Sequence, residues 1–296
     1  MIARLRLKEI QSLARSKLVE YKSMQLPVNP KEFAREKLDI LVEPFSTPKK
    51  DVSGFLMQLG NSFAIGYSTA ITSKGFQNFT VAHELGHYFI DDHAMALLAN
   101  GRHESRSGYI SKDRFEEEAD AFATEFLMPW VLVEPIIRAN SGGFSTIKAI
   151  AEACESSLVA SAIRYTQVTK ECVAVVVSHD GIIEFMTASD SFKQIPGLDW
   201  LRKKDDLPQN VPSRRYANDS DWVRSCVDEH DETKLSNWFP GVRDRDVEED
   251  IAGLGSYERL LTVIMTEESN DEDTDEEEES DDYIDRWNKG IFRGKR

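Results

Sequence analysis

Residues 83 to 87 read His-Glu-Leu-Gly-His, set among the apolar residues Phe79, Val81, Ala82, Phe89 and Ile90. A buried helix is the natural setting for such a segment, and in a helix positions i and i+4 lie on one face about one turn apart. Both imidazoles can therefore reach one tetrahedral zinc ion. Glu84 then stands one step round the helix, beside the ion but not bound to it, where a carboxylate can serve as general base in hydrolysis. The plain alternative is a chance HExxH with two hydrogen-bonded histidines, and the short pattern alone does not exclude it. Gly86 argues the other way. A glycine inside a helix costs about 1 kcal/mol relative to alanine, so its use implies that another backbone or a substrate passes close at that turn.

A catalytic zinc site needs a third protein ligand and an open fourth position. Counted from His83, His93 stands where the last histidine of the longer pattern HExxHxxGxxH would fall, but Ile90 occupies the place of the glycine that turns the chain back. If the helix continued, His93 would point roughly 240 degrees round from His87 at 100 degrees per residue. A surface histidine in an Asp-Asp-His loop is then the expectation. The better candidate lies on the next helix, FEEEADAFATEFLMP (115 to 129), where Glu116 and Asp120 share an inward face beside the stripe Phe115, Ala119, Phe122 and Phe126. Glu116 would bind zinc, and Asp120 would accept the spare N–H of a zinc-bound histidine and fix its tautomer. A rival use of Glu116 is a capping box with Asp113. Tyr88, His103 and Tyr109 are all possible oxyanion donors, unranked by the sequence.

The segments FTVAHELGHYF (79 to 89) and EEEADAFATEFLMP (116 to 129), in this order after an N-terminal helix and a hairpin, resemble the ImmA/IrrE family of zinc metallopeptidases. The likeness covers about residues 1 to 135. It implies a gluzincin-like catalytic domain, zinc held by His83, His87 and Glu116, catalysis by Glu84, and cleavage of a helix-turn-helix repressor in response to DNA damage or another stress. Many relatives carry an N-terminal helix-turn-helix, whereas this chain starts directly with the peptidase segment, so the expected substrate is a repressor encoded separately. A non-cleaving protein that titrates such a repressor is the competing reading. Glu84 speaks against it, because a purely structural zinc site needs no general base.

The rest of the chain supports an α+β organisation. The first residues place Leu7, Ile10, Ala14, Leu18 and Tyr21 at helical spacing. Asn29 before Pro30 predicts a capped helix start, and Gly60-Asn61 between two β-rich runs (53 to 59, 62 to 71) predicts a hairpin in a small antiparallel sheet. Helices are expected from about Asn78 to Ile90 and from about Asp113 to Met128. These elements make a peptidase domain over 1 to 135. Two helical stretches flanking Ser156-Ser157 suggest a helix-turn-helix-like segment over 136 to 170. A second hairpin around His179-Asp180-Gly181 opens a C-terminal α/β domain, regulatory or sensor-like, over 171 to 265. An acidic, mostly disordered tail is expected over 266 to 296.

The formal net charge is −16, but residues 267 to 282 alone carry twelve carboxylates and no positive charge. The remainder, near −4, is only mildly acidic. Lys148, Arg164 and Lys170 are interleaved with Glu152 and Glu155, so no basic face emerges and direct DNA binding is disfavoured. Three widely spaced cysteines give no disulfide framework, and no run of eighteen apolar residues occurs, which points to a reducing cytoplasm without membrane insertion.

Overall fold

The computed structural model describes residues 2 to 46, 52 to 97, 102 to 106 and 113 to 267. Tyr109 and the tail from residue 268 onward lie outside the described residues. The described chain divides into two compact units: residues up to Val133 with Ala151–Ser157, and Glu134–Ile150 with residues 158 to 267.

The first unit opens with α1 (Ile2–Glu20), whose Ile10, Ala14 and Leu18 are buried, followed by α2 (Pro30–Glu32) and a π-helical turn, Phe33–Lys37. Asn29 starts α2 by accepting from the backbone N–H groups of Lys31 at 3.1 Å and Glu32 at 3.3 Å. Next come β1 (Leu41–Phe45), β2 (Val52–Leu59) and β3 (Ser62–Ser68), then α3 (Lys74–Phe89), α4 (Asp91–Leu97), β4 (Arg102–Arg106) and α5 (Arg114–Leu127). The sheet order is β1-β3-β2-β4. It is mixed rather than purely antiparallel, because β1, a strand with Pro44 inside it, joins β3 in parallel while β2 pairs antiparallel with both β3 and β4. Helix α3 begins about four residues before its expected start, since Ser73 caps it by accepting from Phe76 N at 3.3 Å. The helices α1, α3 and α5 pack around an aromatic cluster: Phe33 lies edge-on to Phe126 at 4.9 Å, and Phe122 stacks on Phe89 and Phe126 at 5.8 and 5.7 Å.

Beyond α6 (Trp130–Arg138), the second unit contains most of α7 (Gly143–Cys154), then α8 (Leu158–Val168), β5 (Cys172–His179) and β6 (Ile182–Ala188). Short helices α9 (Asp190–Lys193), α10 (Ser213–Tyr216) and α11 (Ser220–Arg224) precede β7 (Asp228–Lys234), α12 (Leu235–Trp238), β8 (Asp246–Gly253) and β9 (Leu260–Thr266). Its five-stranded sheet, β6-β5-β9-β8-β7, is antiparallel throughout, so this region is α+β rather than α/β. The β5–β6 hairpin turns on Asp180 and Gly181, both left-handed at φ 50° and 72°, as a tight two-residue turn requires. Phe192, Leu235, Trp238 and Phe239 help fill the core against Val176, Ile251 and Ile264.

Candidate active site

Helix α3 crosses α5 at Gly86. A Cβ there would lie 3.0 Å from Ala119 Cα and 3.2 Å from Phe122 Cβ, so the missing side chain lets the α5 backbone approach to contact distance. One turn along α5 on either side of Ala119 are Glu116 and Phe122, and Glu116 thereby reaches the histidines of α3. A second close approach comes from β2, where a Cβ on Gly54 would stand 2.4 Å from Thr80 Cγ2 and 2.9 Å from Glu84 Oε1. The HELGH turn is thus held between a helix and a strand.

His83 Nε2 and His87 Nε2 lie 3.0 Å apart. Glu116 Oε2 is 3.3 Å from His83 Nε2, and Glu116 Oε1 is 3.4 Å from His87 Nε2. Among the described residues these three form the group able to hold a metal ion. A tetrahedron with ligand distances of about 2.05 Å has edges of about 3.3 Å, which these separations match. The hydrogen bonds behind the ligands agree with that use. Asp120 Oδ1 accepts from His83 Nδ1 at 2.7 Å, so in the neutral ring the Nε2 lone pair faces Glu116.

Charge at the site follows from burial. Burial pulls the His83 pKa down, but the hydrogen bonds to Asp120 and Glu116 outweigh it and hold His83 well above its usual value. Without a metal, then, a proton sits on His83 between two carboxylates, and a cation would displace it. For His87 burial wins and lowers the pKa to about 3. Burial opposes ionisation of Glu116, yet the bonds from His103, His83 and His87 drive its pKa far below the carboxylate range.

Glu84 is different: it is 0% exposed, and neither carboxylate oxygen has a hydrogen-bond partner among the described residues. Burial raises its pKa to about 7, opposed in part by the charges of His83 and His103. The Ser105 hydroxyl is near enough to oppose the shift further but makes no hydrogen bond of ordinary geometry. A buried carboxylate poised near neutrality beside a metal-ligand cluster is what a general base requires.

Asp113 caps α5 by accepting from Phe115 N at 3.0 Å, while the Glu116 side chain turns to the histidines instead of completing a capping box. His93 is not a surface residue. It is 0% exposed on α4, because Ile90 adopts an extended conformation that ends α3 and the chain turns back. It meets His87 on Nδ1, the far side from the ligand cluster, at 2.9 Å, and burial lowers its pKa. Of the two oxyanion-donor candidates among the described residues, His103 enters the site. Its Nε2 donates toward Glu116 Oε1 at 3.0 Å and its ring lies 4.6 Å from that of His87. The ring of Tyr88 packs edge-on to Phe63 at 5.0 Å. Strand β4, which carries His103 and Ser105 on one face, was not expected. Its sequence RHESR lacks the apolar alternation of an interior strand, and the i, i+2 spacing of His103 and Ser105 is the only signal it offers.

This combination, a mixed α+β unit whose buried helix presents two histidines and a carboxylate to a glutamate from the next helix, is metallopeptidase-like. Residues 35 to 165 match the Peptidase_M78 family model, described as "IrrE N-terminal-like domain". Residues 35 to 165 thus carry a domain similar to that of the ImmA/IrrE family. Its fold is also similar to that of a Mycobacterium tuberculosis transcriptional regulator, with a TM-score of 0.56 and 11% identity over 88% of this chain and 76% of that one. At that identity the likeness is one of fold alone. Among curated protein sequences none matches. No helix among the described residues is long and apolar enough to cross a membrane.

Proposed function

We propose that the chain is a zinc-dependent metallo-endopeptidase that cuts a specific protein, a separately encoded helix-turn-helix repressor, in a stress or DNA-damage response or in the control of a mobile element. The observation that carries the catalytic part is the pairing of a converged His83, His87 and Glu116 donor set with the buried, unpartnered carboxylate of Glu84. The arrangement is gluzincin-like, with two ligands from one helix and a glutamate from the next. A zinc ion in this donor set supplies Lewis-acid polarisation of the scissile carbonyl and of water. Glu84 takes the proton of the attacking water and passes it to the leaving amine. Asp120 holds His83 in orientation, and His103, whose ring borders His87 and Glu116, is the donor we assign to charge developing on the carbonyl oxygen. The three widely spaced cysteines, Cys154, Cys172 and Cys226, give no disulfide framework and suit a reducing cytoplasm. The substrate assignment rests on the family match over residues 35 to 165, and the mild acidity of the chain outside residues 267 to 282 supports a protein partner over DNA.

The test is incubation of the purified full-length protein and zinc with the helix-turn-helix repressor encoded beside it, read by intact mass. A single cut, absent with Glu84→Gln, supports the reading. Tight binding with no cut would replace it with a protein that titrates the repressor.

A further inference from the structure

His83 and His87 are supported in unlike ways. Behind His83 stands a carboxylate, Asp120. Behind His87 stands another imidazole: His87 Nδ1 and His93 Nδ1 are 2.9 Å apart, and His93 Nε2 is 3.2 Å from Glu118 Oε2. Glu118 is 1% exposed and is paired with Arg6, NH2 to Oε2 at 3.1 Å, and with Arg114, Nε to Oε1 at 2.7 Å. Two guanidinium groups keep it an anion, and an ionised carboxylate only accepts hydrogen bonds. The proton of neutral His93 therefore sits on Nε2, and its Nδ1 is a bare acceptor. Two bare nitrogens 2.9 Å apart would repel, so His87 carries its proton on Nδ1 and its lone pair on Nε2. That lone pair is the one aimed at His83 and Glu116.

We propose that His93 and Glu118 are positioning residues that set the tautomer of His87 before any metal arrives, with Arg6 and Arg114 fixing the direction of the relay. The edge of His93 is held against Phe115, ring centroids 4.7 Å apart at 87°, so the imidazole has a defined plane as well as a defined proton. The proposal rests on the reading of His83, His87 and Glu116 as a metal centre, but it concerns binding and not cleavage.

Glutamine at position 93 can accept from His87 through its carbonyl and donate to Glu118 through its amide, the same pattern as the neutral imidazole. Leucine can do neither. Zinc affinity of the full-length protein, measured by competition with a chromophoric chelator, should fall about 10- to 100-fold in His93→Leu. It should stay within about threefold of wild type in His93→Gln, which keeps both hydrogen bonds. Nitrogen-15 spectra of the metal-free wild type should show His87 protonated on Nδ1 and His93 on Nε2. A folded His93→Leu variant with wild-type zinc affinity, a glutamine variant no better than leucine, or a metal-free His87 protonated on Nε2 would each overturn the proposal. Should His93→Leu fail to fold, the glutamine variant and the wild-type spectra still decide it. A wild type that holds zinc but cuts nothing sinks the reading above and leaves this one standing. A cutting enzyme whose His93→Leu variant binds zinc as tightly as wild type does the reverse.

Discussion

Glu84 in the first unit and Glu249 in the second are both fully buried, and the two are treated in opposite ways. Burial raises the pKa of both. Glu249 is saturated: its Oε1 accepts from Ser213 N at 2.7 Å and from the Ser213 hydroxyl, and its Oε2 accepts from Trp238 Nε1 at 2.8 Å. Glu84 accepts from nothing among the described residues. Burying a polar group without a partner costs several times what a satisfied one does, so a fold keeps such a group only where something else requires it. Burial alone therefore does not mark a working carboxylate. Burial without partners, next to a cluster of atoms able to hold a metal, is what supports the proposed role of Glu84.

The comparison breaks most sharply on Glu84→Gln. Cleavage should fall by about a hundredfold to ten-thousandfold, the usual loss on removing a general base, while zinc content and thermal midpoint are kept. Comparable turnover would mean that the orphaned carboxylate is not the base. Glu116→Gln should next reduce zinc affinity by more than about 100-fold, beyond the range for residues that only support a ligand. Metal analysis showing full zinc retention would shift the third ligand elsewhere. Because zinc must displace a proton from His83 and its charge also favours ionised Glu84, zinc uptake near neutral pH should release about one to two protons, and affinity should rise with pH. Glu249→Ala leaves the Trp238 and Ser213 N–H groups unpaired, which should cost on the order of 3 kcal/mol at about 1 to 3 kcal/mol per orphaned group. For a protein of this size that is a drop of about 6 to 12 °C in thermal midpoint. An unchanged midpoint would show that the saturated carboxylate is dispensable and that the contrast with Glu84 lies elsewhere.

Much of this contrast was legible in the sequence on the catalytic side and almost none of it on the other. Helical periodicity places His83, His87, Glu116 and Asp120, because their relations are i, i+4 within single helices and those helices are long. Gly86 announces the close approach of a second backbone, and the structure shows it to be α5. His93 was misread for a definite reason: a continued helix at 100 degrees per residue carries it away from the site, but the extended Ile90 ends the helix and α4 brings it back behind His87. Strands β1 and β4 escaped notice because LVEPF holds a proline and RHESR is charged; both lie at sheet edges, where apolar alternation is not demanded. Glu249 sits in VEEDI, and no local pattern distinguishes it from Glu248 beside it, which is exposed. Its partners, Ser213 and Trp238, come from segments far along the chain, so only the fold identifies it.

The smallest effect lies in how stability depends on pH, and it separates the two carboxylates without any substrate. A carboxyl group whose folded pKa lies above its unfolded value holds more protons in the native state. Its stabilisation is complete below the unfolded pKa and is lost as pH rises through the folded one. For Glu84 that window runs from the ordinary value of 4.5 to about 7, opened by burial and narrowed by the charges of His83 and His103. For Glu249 the sign is the same, opened by burial and opposed by Ser213 and Trp238. His87 acts in the opposite sense over much of the same range, because its lowered pKa makes stability rise with pH. The signature of Glu84 is therefore a difference: metal-free wild type should lose stability relative to Glu84→Gln as pH rises from about 4.5 to about 7. With zinc bound, the nearby cation favours ionised Glu84, so its share of the slope should shrink. The share due to Glu249, which belongs to the other unit, should persist with and without metal. Denaturant midpoints of wild type and Glu84→Gln at several pH values, each with and without zinc, measure this directly. If the metal-free variant follows the same pH course as the wild type, Glu84 titrates like a solvated carboxylate, and its orphaned state in the fold would not be the source of its chemistry.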